Sequence, residues 1–173
     1  KMAKKEFVLL TNAPRPTDPV VKFLKTLGMN DYFENVFTSG EAALKYLIKE
    51  HRNQKFFHIG SIRDYDLFEG FKHNKVSNIN DANYILCTGL LEMHDKKSYL
   101  NVSLKFYEKL LLDHISKKMI CTNPDLIVDK GNTREYCAGT IASLFEKING
   151  KVVYFGKPYA PVYNLSTNLK NKK

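Results

Sequence analysis

Three short segments of this sequence place residues able to grip an anion just past an apolar run. The first is Thr11-Asn12-Ala13-Pro14-Arg15-Pro16, which follows Glu6-Phe7-Val8-Leu9-Leu10. A hydroxyl at Thr11, with the backbone N–H groups of a loop stiffened by proline, can hold a phosphate oxygen. A proline-rich turn in which Thr11 satisfies nearby backbone is the plainer alternative. The second segment is Gly156-Lys157-Pro158, after Lys151-Val152-Val153-Tyr154-Phe155. A lysine there is a fixed positive charge able to neutralise a phosphoryl group and its transition state. Its glycine and proline neighbours hold the backbone in place, although one more surface lysine in a lysine-rich chain is the alternative. The third is Asn123-Pro124-Asp125, after Met119-Ile120-Cys121-Thr122. An amide and a carboxylate at a strand end suit a polar substrate, and the same residues also make ordinary turns. A further pair, Asp64-Tyr65-Asp66, sets two carboxylates two residues apart just past an apolar run. Leu67-Phe68 follow it, and the expectation is an exposed helix start, where acids meet the positive end of the helix dipole.

The elements that must position these residues alternate between strand and helix. Short apolar runs predict strands at 6–10, 32–38, 56–59, 82–88, 119–122 and 151–155. Helical spacing predicts helices from Asp18-Pro19 to Leu27, from Glu41 to His51, from Ile62 to Phe71, from Leu104 to Ser116, from Ala138 to Ile148 and from Pro161 to Leu169. Gly28 is expected to end the first helix and Asp18 to cap it. This alternation is the mark of an α/β fold with a mostly parallel sheet, in which ligands bind beyond the carboxyl ends of the strands.

Bulk composition sets wide limits. The chain has 173 residues, 43% of them hydrophobic and 26% charged, enough for an ordinary packed core. No apolar run approaches the roughly 20 residues that a bilayer helix needs, and no leader peptide opens the sequence. No membrane partner and a cytoplasmic location are therefore expected. Cys87, Cys121 and Cys137 lack zinc spacing and read as buried thiols. The net charge of +9 attracts anions in general. Its dense clusters are terminal: Lys1, Lys4 and Lys5, and Lys170, Lys172 and Lys173. No basic-aromatic motif supports nucleic-acid binding.

Taken together, the segments resemble the class IIA, NagD-like branch of the haloacid dehalogenase-like hydrolases. TNAPRP resembles the second motif of that superfamily. VFTSGEAALKYL, FFHIGS, and ICTNPDLIVDKG followed by YCAGTIASLFEKINGKVVYFGKPYAPVY resemble the branch in order and spacing, from about Phe7 to Tyr163. The pairing of TNPD with a downstream GKP is the most specific part.

The resemblance implies Mg²⁺-dependent hydrolysis of phosphate monoesters through an aspartyl-phosphate intermediate. It implies a Rossmann-like parallel-sheet core, here incomplete, with an inserted α/β cap that selects a phosphorylated small molecule. Thr11 would bind the transferring phosphoryl group with Asn12 beside it. Lys157 would stabilise the charge on nucleophile and phosphoryl group, as both catalytic and phosphate-binding residue. Asn123 and Asp125 would lie at the junction of core and cap. The partial core would comprise residues 1–42 and 132–173, and the cap residues 43–131.

The pattern breaks at both ends. The family's Asp-x-Asp-Gly nucleophile motif normally precedes the threonine motif, and the ten residues before Thr11 contain no aspartate. A Gly-Asp motif that helps hold Mg²⁺ normally follows the lysine, and no aspartate follows Asp129. The expectation is a chain truncated at both ends and inactive as given, with most Mg²⁺ ligands missing. A non-catalytic phosphate-binding or interaction module, or one part of a split enzyme, is the alternative. A shortened sheet would expose strand edges that invite a second copy or a complementing chain. Which phosphorylated molecule binds is not readable from the sequence.

Overall fold

The central apolar runs form strands because they are buried on both faces. The computed structural model describes residues 8–29, 35–91 and 104–167, so the expected strand residues 6 and 7 and 32–34 lie outside them. Strand β1 (Leu9–Thr11) leads into helix α1 (Thr17–Thr26) and then strand β2 (Val36–Thr38), and the two strands pair in parallel with Thr11 opposite Thr38. Asp18 sits in the first turn of α1 rather than capping it; Pro16 precedes the helix with no side-chain cap. Gly28, at φ +82°, donates its N–H to the Lys25 carbonyl (3.0 Å) and ends the helix as expected.

Helix α2 (Ser39–Glu50) starts two residues earlier than its periodicity suggests. The Thr38 hydroxyl caps it by accepting the Glu41 N–H at 2.9 Å. Ser39 Oγ and the Gly40 N–H both donate to the Ala13 carbonyl, at 2.8 and 3.0 Å. The first turn of α2 is thus clamped beneath the loop that carries Thr11 and Asn12.

The remaining elements follow as β3 (Phe56–Ile59), β4 (Lys75–Val76), β5 (Tyr84–Cys87), α3 (Leu104–Leu112), β6 (Lys118–Cys121), β7 (Ile127–Lys130), β8 (Thr133–Tyr136), α4 (Ala138–Lys147), β9 (Lys151–Tyr154) and α5 (Ala160–Thr167). Five of the strands make one parallel sheet in the order β4-β3-β5-β6-β9. Side chains alternate across it. Ile85, Cys87, Met119 and Cys121 face the cluster built with Tyr107 and Leu111 of α3 and Ile141 and Phe145 of α4. Tyr84, Leu86 and Ile120 face the cluster built with Leu47 of α2, Phe68, Phe71 and Val162 of α5. Such two-sided burial is what turns these strands into continuous apolar runs.

One expectation is corrected. The helix expected at 62–71 is a pair of 3-10 turns, Ile62–Leu67 and Glu69–Asn74, with non-helical backbone at Phe68 and Phe71. The break lets both rings pack on Phe56, at centroid distances of 5.1 and 5.8 Å. The segment between Asp125 and Cys137, left unassigned by the sequence, is an antiparallel hairpin of β7 and β8 around Gly131, at φ +58°. Residues 131 and 132 form its turn, and β9, on one side of that point, pairs with β6 on the other. Among the described residues no helix is long and apolar enough to cross a membrane.

Two glycines fix how tightly loops sit on helix starts. A Cβ at Gly40 would run into the Pro14 and Arg15 carbonyls, and one at Gly139 into the Pro124 carbonyl. Glycine-to-alanine in a free helix turn would stabilise, but here the backbone must move. Gly139→Ala is expected to lower stability by about 1–3 kcal/mol, read as a lower urea midpoint. An unchanged or higher midpoint would contradict the close approach.

Candidate functional site

The carboxyl ends of the parallel strands converge on one side chain, Asn12. Its Nδ2 donates to Asp125 Oδ1 at 2.8 Å and to the Lys157 carbonyl at 3.1 Å, and its Oδ1 accepts the Lys157 N–H at 2.7 Å. One amide therefore joins the loop after β1, the turn after β6 and the loop after β9. Gly156, at φ +124°, permits this, since a Cβ there would lie 2.9 Å from Asn12 Oδ1 and 2.5 Å from Pro124 Cδ. The Lys157-Pro158 peptide is cis.

The turn after β6 is organised by Asn123, whose Oδ1 accepts the Asp125 N–H at 3.0 Å. The Asp125 carbonyl accepts the Gly139 N–H at 3.1 Å, which seats this turn on the start of α4. Thr11 Oγ1 accepts the Ala13 N–H at 3.3 Å, so the hydroxyl is also spent in part on its own loop. Arg15 Nε donates to Asp66 Oδ2 at 2.9 Å and fastens the loop to the turn after β3.

These loops surround an open cavity of about 320 Å³, whose walls include Thr11, Asn12, Asn123 and Asp125. Four of the residues singled out in the sequence are thus brought together. The fifth, Lys157, is joined through its backbone while its residue as a whole stays exposed.

Asp64 departs from expectation. It is 3% exposed, not an exposed helix start, and it lines the same cavity. Its Oδ2 accepts the Thr88 hydroxyl at 2.9 Å, and Thr88 Oγ1 lies 2.9 Å from His58 Nε2. Burial pushes the Asp64 carboxyl above the usual carboxylate range, against the Thr88 hydrogen bond and the charge of Arg63. Burial, with Lys75 second, pushes His58 down to about 3. Cys87, Cys121 and Cys137 are free and buried. Sequence reasoning missed His58, Arg63, Thr88 and Glu135. For Thr88 a signal existed, a hydroxyl directly past the apolar run of β5.

Among the described residues no three His, Cys, Asp or Glu side chains group to hold a metal. Asp125 is a carboxylate beside Asn12, and its Oδ1 is taken up by that amide. The donors present do not by themselves fit a Mg²⁺ ion, and no step through one is derived.

A family model described as haloacid dehalogenase-like hydrolase matches residues 1–72. A solved hydrolase of the haloacid dehalogenase-like family from Brucella suis 1330 is 28% identical, with a TM-score of 0.80 over 95% of this chain and 58% of its own. The chain is thus similar to haloacid dehalogenase-like hydrolases, in sequence over its first 72 residues and in fold over most of its length. Its Rossmann-like α/β architecture recurs in a 4-nitrophenylphosphatase from Thermotoga maritima (23% identity, TM-score 0.68, 98% of this chain and 62% of that one). It recurs also in a solved protein named for nagD (19% identity, TM-score 0.69, 98% and 64%). The chain spans less than two thirds of the length of each of these structures. Among curated proteins none matches it.

The buried histidine has a measurable consequence. Between about 6.5 and about 3, the unfolded chain binds a proton at His58 that the folded chain does not. Stability from this group is therefore full above that window and is lost as pH falls through it. His58→Gln is expected to flatten part of the wild-type loss of urea resistance between pH 7 and pH 4. Parallel curves for the two proteins would show that His58 does not stay neutral.

Proposed function

We propose that this chain is the phosphate-holding and cap part of a haloacid dehalogenase-like phosphatase and binds a phosphorylated small molecule at the Asn12 junction. The observation that carries the reading is the pair of hydrogen bonds between the Asn12 amide and the Lys157 backbone, which keeps the lysine loop beside Thr11. In this reading the Thr11 hydroxyl and its loop N–H groups receive phosphoryl oxygens, and the Lys157 ammonium swings over them to balance their charge. Asn123 and Asp125 hold the junction of core and cap. A 4-nitrophenylphosphatase of the same fold supports a phosphate ester as the ligand class.

The division of the chain is proposed at the boundaries expected from the sequence. The core comprises residues 1–42 and 132–173 and the cap residues 43–131, with β9 of the core part pairing onto the cap strands of the five-stranded sheet and leading to Lys157. In phosphatases of this family Mg²⁺ supplies Lewis acidity and orients the phosphoryl group. This sequence contains no Asp-x-Asp-Gly, so the second reading is binding without turnover, with a nucleophile supplied, if at all, from outside these residues.

The test is equilibrium binding of phenyl phosphate to the chain by calorimetry, with hydrolysis followed in parallel. Lys157→Ala is expected to weaken binding by about tenfold or more, the scale of a lost charge-assisted hydrogen bond. Its thermal stability should be unchanged, because the residue is exposed. Equal affinity in wild type and Lys157→Ala would remove the lysine from the site. Turnover by the wild-type chain would overturn binding without chemistry.

A further inference from the structure

The cavity has a second polar wall that the phosphate reading does not use. It is built from the ends of β3 and β5, opposite in sequence and element to the loops holding Thr11 and Lys157. There, His58, Thr88 and Asp64 are 5%, 3% and 3% exposed and form one hydrogen-bonded chain, Nε2 to Oγ1 to Oδ2, with both distances 2.9 Å.

With Asp64 ionised, the polarity of that chain follows from its donors and acceptors. Thr88 has a single hydroxyl proton and gives it to the Asp64 carboxylate, which is the acceptor. The Thr88 oxygen must then accept from His58, so the neutral imidazole carries its proton on Nε2. The arrangement is packed to size, because a Cβ at Gly60 would collide with Thr88 Oγ1 and lie 2.6 Å from His58 Nε2. Only glycine leaves room for the pair.

Asp64 is therefore held rigidly as an acceptor at a cavity wall. A carboxylate offers about four lone-pair positions. Thr88 fills one and the Ser61 backbone supplies a further hydrogen bond. Arg63 Nε, 3.9 Å from Asp64 Oδ1, is too far to fill another. The walls around it carry the carboxylates of Asp64 and Asp125 and one guanidinium, that of Arg63. That balance disfavours a second anion and favours a hydrogen-bond donor.

We infer that Asp64, positioned by Thr88 and His58, recognises a hydrogen-bond-donating group, a hydroxyl or an ammonium, on the organic part of the phosphate ester. The inference rests on the phosphate reading above and deepens it: Thr11 and Lys157 take the phosphate, and Asp64 selects what it is attached to. Thr88 and His58 are positioning residues. A buried acceptor discriminates strongly, because a ligand without the donor leaves it desolvated and unpaired.

The experiment measures binding of propyl phosphate, 3-hydroxypropyl phosphate and 3-aminopropyl phosphate to the full 173-residue chain, wild type, Asp64→Asn, Thr88→Ser and Thr88→Val. The expected result is that at least one donor-bearing ester binds wild type about tenfold or more tightly than propyl phosphate. The hydroxyl and ammonium arms identify which donor is read. Asp64→Asn should abolish the preference. Thr88→Val should lose the preference and Thr88→Ser keep it, which decides the matter should Asp64→Asn fail to fold. Equal binding of all three esters to wild type, or a preference that survives both Asp64→Asn and Thr88→Val, would overturn the inference and leave the phosphate reading standing. Failure of all three esters to bind would overturn both.

Discussion

One side-chain amide connects three strand ends that are remote in sequence. Asn12 reaches across 113 residues to Asp125 and across 145 residues to Lys157, using its donor and its acceptor together. An aspartate there would offer no donor and a leucine neither group. The rest of the site depends on this tie, because Thr11 and Lys157 come from different sheets and nothing in a parallel strand order fixes the distance between their loops. The amide couples the two-stranded β1-β2 unit to the end of β9 in the five-stranded sheet.

The tie works only because backbones are allowed to approach closely around it. Gly156 makes room for the Asn12 side chain, Gly40 for the loop that carries Asn12, and Gly139 for the turn that carries Asp125. The last two sit at helix starts, so the first turns of α2 and α4 serve as seats for ligand-facing loops. Behind them the sheet is buried on both faces, which fixes register and brings the ends of β3, β5, β6 and β9 to one edge. The second polar wall, His58 to Thr88 to Asp64, is a product of the same register. His58 and Leu86 are partners across β3 and β5, and Thr88 lies just beyond.

Much of this was legible in the sequence, for a physical reason. A strand buried on both faces reads as an uninterrupted apolar run, so β3 is found at Phe56–Ile59 as expected and β5, β6 and β9 within a residue or two. Polar residues just past those runs lie together at the strand ends, which is why Thr11, Asn12, Asn123 and Asp125, singled out in the sequence, line one cavity. The hairpin was not legible: Ile127 and Val128 are 46% and 38% exposed, and its pairing is local and polar rather than core-driven. Asp64 was misread because helix-start acids are common, and its hydrogen-bond partner Thr88 lies 24 residues away. His58 hid inside an apolar run. Spacing along the chain carries no information about such a partner; only the register of β3 against β5 does.

The central claim is that Asn12 holds the Lys157 loop in its phosphate-binding position. A double-mutant cycle of Asn12→Ala and Lys157→Ala, read as phenyl phosphate affinity, tests it most directly. If the claim is right, Asn12→Ala weakens binding substantially and adding it to Lys157→Ala costs little more, since the lysine it positions is already gone. Phosphate affinity untouched by Asn12→Ala, or two losses that simply add, would show that the two residues act independently and that the amide tie does not build the site.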